Sequence, residues 1–126
     1  MADDDPEMLG LVAEALEHLG IDVVAVTAGG ELLEKLANDG PFDLIVTDIS
    51  MPWMTGLQVM HSARTAGLAV PVVVMTGLCD PTLTEQVISL GAHAELLHKP
   101  FSIHELRTAV RRGLAATARN ADQPTP

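Results

Sequence analysis

The chain has 126 residues, of which 48% are hydrophobic and 19% are charged, and its formal net charge is −10 at pH 7. That length is enough for one domain with a sizeable core, and the hydrophobic share excludes an intrinsically disordered chain. The acidic balance disfavours direct nucleic-acid binding, which needs clustered Lys and Arg, and instead suits a divalent cation or a basic partner.

Cysteine content and hydropathy favour a reducing compartment and a protein outside the membrane. The only cysteine, Cys79, cannot form an intramolecular disulfide, which favours a reducing environment. No apolar run approaches the roughly 18 residues of a membrane-spanning helix, and the acidic N-terminus lacks the features of a signal peptide. We therefore expect a soluble, cytoplasmic protein that makes no membrane contact.

The first half of the chain alternates helical and strand patterns. Proline in the first turn and glycine at the end predict a helix over residues 6–20, with Asp5 as its N-cap. Residues 21–26 are rich in β-branched side chains and predict a strand, and a short helix follows over 32–37. Residues 44–46 form a short continuous apolar run, which is typical of a strand buried on both faces.

The second half continues the alternation. Helices are predicted over 56–66, 81–90 and 103–114, and strands over 70–75 and 94–98. Alternating elements with short connections predict an α/β domain with a parallel sheet covered on both faces. We expect one domain over residues 1–118 and a flexible C-terminal tail over 119–126, with no internal repeat or linker.

Polar residues stand where each predicted strand ends. The acidic pair Asp3 and Asp4, the acid Asp48, the hydroxyl of Thr76 and the ammonium of Lys99 follow four different strand segments. Ligands of open α/β sheets bind beyond the carboxyl ends of the strands, so these groups should share one rim. Crowded carboxylates repel each other unless a hard cation such as Mg²⁺ binds them. A carboxylate beside Mg²⁺ and an ammonium is a competent nucleophile toward phosphorus and would form an aspartyl phosphate.

Four short motifs together resemble the receiver domains of two-component response regulators. They are Asp3 to Glu7, Asp48 to Pro52 with Gly56, the pair Thr76 and Gly77, and Lys99 to Phe101. Each motif is weak alone, but all four occur in order across nearly the whole chain. The resemblance implies a flavodoxin-like doubly wound sheet with strand order 2-1-3-4-5.

The resemblance also implies roles for individual residues. Asp48 would be the phosphoacceptor, Thr76 the switch residue and Lys99 the partner of the phosphoryl group. The implied Mg²⁺ ligands are Asp3, Asp4, Asp48 and the backbone carbonyl of Ser50. The switch and tuning positions are Gly77, Leu78, Leu96 and Pro100.

The function implied is that of a single-domain response regulator, chemotaxis-regulator-like in its organisation. It would accept a phosphoryl group from a sensor histidine kinase or a phosphotransfer protein, and signal to a downstream protein through protein–protein contacts. Such a protein phosphorylates and dephosphorylates itself without being a conventional turnover enzyme.

Two departures from the family pattern motivate an alternative. Only Met1 and Ala2 precede the acidic cluster, so most of the first strand is missing, and an aliphatic residue, Leu96, stands where the family often has an aromatic switch residue. Loss of a central strand would leave its two neighbours without hydrogen-bond partners. The alternative is a degenerate, non-phosphorylated interaction module that works as a homodimer. A metal-dependent phosphohydrolase is less favoured, because Ser50 stands where a second catalytic acid would be expected.

Overall fold

The computed structural model describes residues 1–3, 5–21, 24–27, 29–39, 42–49, 55–68, 70–77, 81–91 and 93–122, with side chains through residue 116. The helices are α1 Pro6–Glu17, α2 Gly29–Asn38, α3 Gly56–Thr65, α4 Pro81–Ile88 and α5 Ile103–Asp122, and the strands are β1 Ile45–Asp48, β2 Val72–Thr76 and β3 Ala94–His98. In the described part of the chain, no helix combines the length and apolarity needed to cross a membrane.

The three strands form a parallel sheet in the order β1-β2-β3. In the middle strand, Val73 pairs with Val46 of β1 and with Glu95 of β3. Every residue of β1 and β2 is buried. The continuous apolar runs in the sequence therefore reflect strands that are covered on both faces.

The N-terminus adds a short piece of strand beside β1. Ala2 forms parallel bridges with Val26 on one side and with Thr47 on the other. Its N–H donates to the Val46 carbonyl, and its carbonyl accepts from the Asp48 N–H, both over 2.8 Å. Residues 1–3 therefore lie in the sheet between the segment 24–26 and β1, and they partly fill the gap that the short N-terminus predicts.

Alternate residues of β2 point into two separate apolar layers. Val72 and Val74 pack with side chains of α2, α3 and α4, while Val73 and Met75 pack with those of α1 and α5. Each layer excludes water from one face of the sheet, which is the main source of stability in such a fold. The layers also fix where the strand ends lie, and hence the geometry of the rim.

Some element boundaries differ from those predicted. In the predicted strand 21–26, Val26 makes a bridge, and residues 22 and 23 lie outside the described residues. The last helix continues to Asp122, so residues 119–122 of the predicted tail are helical. Residues 115–122 contain four alanines and no glycine or proline, so nothing in that stretch stops the helix. Residues 123–126 lie outside the described residues.

Candidate functional site

Three polar residues are buried together at the carboxyl edge of the sheet. Asp3 and Thr76 have no solvent-exposed surface, and Asp48 is 5% exposed. They end three neighbouring strand segments: the N-terminal bridge, β1 and β2. A buried carboxylate is costly unless it is paired, so this edge needs a compensating charge.

Lys99 supplies that charge from the end of β3. Its ammonium lies 3.3 Å from Oδ2 of Asp3 and 3.4 Å from Oδ2 of Asp48, and its side chain is only 22% exposed. The backbone N–H of Lys99 donates to the Thr76 carbonyl over 2.7 Å, and the peptide bond to Pro100 is cis. One cation therefore offsets the repulsion between two buried carboxylates.

The acidic residues near the N-terminus have different environments. Asp3 points into the site, and its second oxygen, Oδ1, accepts the backbone N–H of Asp5 over 2.9 Å. Asp5 instead caps α1, because its carboxylate accepts from the N–H groups of Glu7 and Met8. The predicted N-cap is thus confirmed, while Asp4 lies outside the described residues.

Gly56 closes the loop that follows β1. Its N–H donates to the carbonyl of Ile49 over 3.2 Å, and a Cβ at this position would lie 2.4 Å from the backbone oxygen of Asp48. The same carbonyl oxygen accepts the hydroxyl hydrogen of Thr47 over 3.0 Å. Only glycine permits this approach, so Gly56 helps to set the position of Asp48. The sequence showed Gly56 as part of a motif, but it did not indicate the contact.

The remaining predicted site residues surround this group. Gly77 is exposed directly after β2, and Pro100 is exposed after Lys99. Leu96 is half-buried in β3, where it pairs with Val74 and packs against the layer under α2, α3 and α4. Ser50 and Leu78 lie outside the described residues.

The described oxygen donors suit a hard cation. Two adjacent carboxylates, those of Asp3 and Asp48, meet beside one ammonium, and carboxylate oxygen is the ligand type that Mg²⁺ prefers. Among the described residues there is no group of three or more His, Cys, Asp and Glu side chains that could hold a metal. The other two predicted ligands, Asp4 and Ser50, fall outside that part of the chain.

The sequence profile of the response regulator receiver domain matches residues 1–111. The chain belongs to this family. It is 34% identical over 116 residues to the response regulator MprA of Mycobacterium leprae, covering 91% of this chain and 50% of that protein. It is also 34% identical over 123 residues to the transcriptional regulatory protein FixJ of Azorhizobium caulinodans, covering 96% and 56%. The chain therefore spans about half the length of the curated relatives it matches.

Solved structures confirm the predicted doubly wound α/β fold. The receiver domain of the Francisella response regulator 1452 superposes with a TM-score of 0.82 at 28% identity, covering 94% of each chain. The chemotaxis response regulator CheY4 of Vibrio cholerae superposes with a TM-score of 0.80 at 27% identity, covering 90% of this chain and 94% of that one. The expected family and the expected α/β fold with a parallel sheet are thus both confirmed.

Proposed function

We propose that this protein is a phosphoacceptor of a two-component system, and that Asp48 receives the phosphoryl group. The observation that carries the proposal is the ammonium of Lys99 lying between the buried carboxylates of Asp3 and Asp48. This arrangement brings together the proposed nucleophile Asp48, the cation Lys99 for the incoming phosphate, and a second carboxylate, that of Asp3. This is the minimum set for metal-assisted phosphoryl transfer to a carboxylate.

The proposed reaction proceeds in one displacement. An oxygen of Asp48 attacks the phosphorus of a phosphohistidine on the donor protein, and the bond from phosphorus to the imidazole nitrogen breaks. The electron pair of that bond leaves with the imidazole. As the phosphoryl group arrives, Lys99 exchanges its contact with the Asp48 carboxylate for one with a phosphoryl oxygen.

The proposed metal site uses residues of this same rim. Asp3, Asp4, Asp48 and the carbonyl of Ser50 would hold Mg²⁺ together with water molecules. When bound, Mg²⁺ supplies positive charge that offsets the negative charge of the phosphoryl oxygens. Asp3 is already oriented for this role, because the Asp5 N–H and Lys99 hold both of its oxygens.

The proposed readout begins at Thr76. Its position at the end of β2, adjacent to the ends of β1 and β3, allows its hydroxyl to donate to a phosphoryl oxygen. Gly77 leaves space for that group, and Leu78 would tune the access of the water that hydrolyses it. Because Leu96 has no ring to move, the signal would pass through the backbone at Lys99 and Pro100.

The proposed partners are a sensor histidine kinase or phosphotransfer protein and a downstream protein, in the cytoplasm. The alternative of a non-phosphorylated dimerisation module has less support. The missing first strand and the absent aromatic switch residue were the reasons for considering it. Residues 1–3 nevertheless bridge both neighbouring segments and place Asp3 at the rim.

The test is the intact mass of the protein after incubation with Mg²⁺ and acetyl phosphate. The wild-type chain should gain the mass of one phosphoryl group, and Asp48→Asn should gain none. Asp43→Asn is the matched control, because Asp43 is an exposed acid just before the opposite end of β1 and should leave the adduct intact. An adduct on a folded Asp48→Asn variant would contradict the proposal.

A further inference from the structure

One buried polar residue of the described chain lies outside the group at the rim. Of the polar residues that are buried in this part of the chain, three form the rim group, and the fourth is Thr47 of β1. Thr47 has no solvent-exposed surface, and it pairs with Ala2 on one side and with Val74 on the other. A strand covered on both faces is typically apolar throughout, and a buried hydroxyl is costly unless it forms a hydrogen bond.

The hydroxyl of Thr47 acts on the backbone of the residue that follows it. Its Oγ1 donates to the carbonyl oxygen of Asp48 over 3.0 Å, and this contact is buried. A valine at position 47 would have nearly the same shape and would place no polar group in an apolar surrounding. Packing alone therefore does not account for the hydroxyl, whereas the contact with the Asp48 carbonyl does.

Hydrogen bonds hold the backbone on both sides of the Asp48 side chain. The N–H of Asp48 donates to the Ala2 carbonyl over 2.8 Å. The N–H of Ile49 donates to the Met75 carbonyl over 2.9 Å. The Asp48 carbonyl and the Ile49 N–H belong to one planar peptide unit, so Thr47 and Met75 hold that unit at its two ends. These bonds restrain both backbone dihedral angles of Asp48, and with them the direction in which its carboxylate leaves the strand.

Gly56 leaves the space that the Thr47 contact needs. A Cβ at position 56 would lie 2.4 Å from the Asp48 carbonyl oxygen and 2.9 Å from Oγ1 of Thr47, and so would collide with both atoms of the hydrogen bond. The N–H of Gly56 donates to the Ile49 carbonyl over 3.2 Å. The start of α3 is thus fitted closely around the bond between Thr47 and Asp48.

We propose that Thr47 is a positioning residue for phosphoryl transfer to Asp48, an inference that rests on the proposed function. In-line attack requires that an oxygen of Asp48 be held at a fixed distance and angle from phosphorus. By binding the Asp48 carbonyl, the hydroxyl keeps the backbone that carries the nucleophile from rotating as the phosphoryl group arrives. Thr47 does not touch the reacting atoms, so it affects the rate of uptake and not the identity of the phosphorylated residue.

The test compares two substitutions that separate the hydroxyl from the shape of the side chain. Thr47→Val keeps the shape without the hydroxyl, and Thr47→Ser keeps the hydroxyl without the methyl group. With Mg²⁺ and acetyl phosphate, the rate of adduct formation should fall at least about tenfold in the valine variant, and the serine variant should recover most of the wild-type rate. A role in packing alone predicts the opposite order, because serine leaves a cavity in the core and valine does not.

Thr47→Ala gives a second comparison, because alanine and serine differ only in the hydroxyl oxygen. The alanine variant should take up the phosphoryl group at least about tenfold more slowly than the serine variant. Circular dichroism verifies that each variant is folded. A valine variant as fast as the wild type, or a serine variant as slow as the alanine variant, would overturn the proposal.

Thr65→Val is the matched control for a lost hydroxyl. Thr65 is the last residue of α3, at the opposite end from Gly56, and its hydroxyl also donates to a backbone carbonyl, that of His61, over 2.9 Å. This variant should leave the uptake rate unchanged. Slowing by the same factor as in Thr47→Val would overturn a specific role for Thr47.

Amide hydrogen exchange separates this inference from the proposed function, because it needs no phosphorylation. In the unmodified protein, the Ile49 amide should exchange at least about tenfold faster in Thr47→Val than in the wild type. Faster exchange in that variant, with no adduct on the wild-type chain, would contradict the proposed function while supporting the contact of Thr47 with Asp48. Unchanged exchange and unchanged uptake in Thr47→Val would overturn the inference alone.

Discussion

Asp3 and Lys99 are 96 residues apart in the sequence, but their side chains meet at 3.3 Å at the rim of the sheet. This contact joins the N-terminal segment to the end of β3 across the two strands between them. It forms only if residues 1–3 take their place in the sheet. The contact therefore couples the completeness of the sheet to the geometry around Asp48.

Replacing the shared cation should destabilise the fold. Lys99→Met leaves Asp3 and Asp48 buried without their common partner, and removing one partner of a buried ion pair costs about 3–5 kcal/mol. We expect a loss of unfolding free energy toward the lower end of that range, because Lys99 is partly exposed. Urea unfolding at pH 7 measures it.

Lys35→Met is the matched control for that variant. Lys35 pairs with Asp39 at 2.9 Å on the surface of α2, where both side chains are nearly half exposed. An exposed pair of this kind contributes little to stability, because water screens both charges. Equal losses of unfolding free energy in the Lys35 and Lys99 variants would show that the contacts of Lys99 with Asp3 and Asp48 contribute no more than an exposed ion pair.

A methyl group at Gly56 should disturb the loop that carries Asp48. In Gly56→Ala the new Cβ would lie 2.4 Å from the Asp48 carbonyl oxygen, so backbone must move. We expect a stability loss of about 1–3 kcal/mol, as for overpacked sites, and slower phosphoryl uptake. Thermal unfolding and the rate of adduct formation measure the two effects.

Gly10 provides the opposite case. It lies within α1, and nothing would lie within 4 Å of an added Cβ. Gly10→Ala should therefore raise stability by about 0.5–1 kcal/mol through helix propensity and leave phosphoryl uptake unchanged. A loss in both glycine variants would point to a general intolerance of substitution instead of a specific contact.

Asp3 and Asp5 should respond differently to substitution. Asp5→Ala removes the N-cap of α1 and should cost about 1 kcal/mol without affecting uptake, and Asp5→Ser should restore most of that loss. Asp3→Asn should leave the fold in place but slow Mg²⁺-dependent uptake. Parallel measurements of melting temperature and adduct yield separate the two roles, and an Asp5→Ala variant that cannot be phosphorylated would contradict them.

The buried Met1 amine predicts a dependence of stability on pH. The ammonium has a pKa of 8.0 in a free chain and about 6 in the fold, so the unfolded chain holds more protons between these values. The unfolding free energy should therefore rise as the pH increases from 6 to 8, by up to about 2–3 kcal/mol, and this contribution should be constant outside that window.

Nα-acetylation is the control for that dependence. The acetylated chain retains the histidines but has no titrating amine, so the difference between the two unfolding profiles isolates Met1. Intact mass must first verify that Met1 is retained, because its removal exposes a different amine. Identical profiles with and without the acetyl group would contradict the assignment.

The sequence predicted the rim because of a general property of parallel sheets. Strands that run the same way place their carboxyl ends at one edge, so Asp3, Asp48, Thr76 and Lys99 could be grouped before their distances were known. Two details could not be predicted. Which carboxylate Lys99 contacts depends on side-chain rotamers, and the contact at Gly56 depends on the path of a loop. Neither leaves a periodic pattern in the sequence.

At the N-terminus, the number of apolar residues before Asp3 did not predict how residues 1–3 pair in the sheet. The short apolar run before Asp3 predicted neighbours left without partners. In the structure, Ala2 alone bonds to β1 on one side and bridges Val26 on the other. The Met1 carbonyl and the Asp3 N–H bond to Val26, so residues 1–3 together pair with both neighbouring segments and partly fill the gap, with the Ala2 side chain fully buried.

The most direct test of the central claim locates the phosphoryl group on the unaltered chain. After phosphorylation with Mg²⁺ and acetyl phosphate, reduction with borohydride converts an acyl phosphate to the corresponding alcohol, and tandem mass spectrometry then identifies the reduced residue. We predict reduction at position 48, and only when both Mg²⁺ and the phosphodonor are present. Reduction at another acid, or none in a folded sample, would contradict Asp48 as the phosphoacceptor.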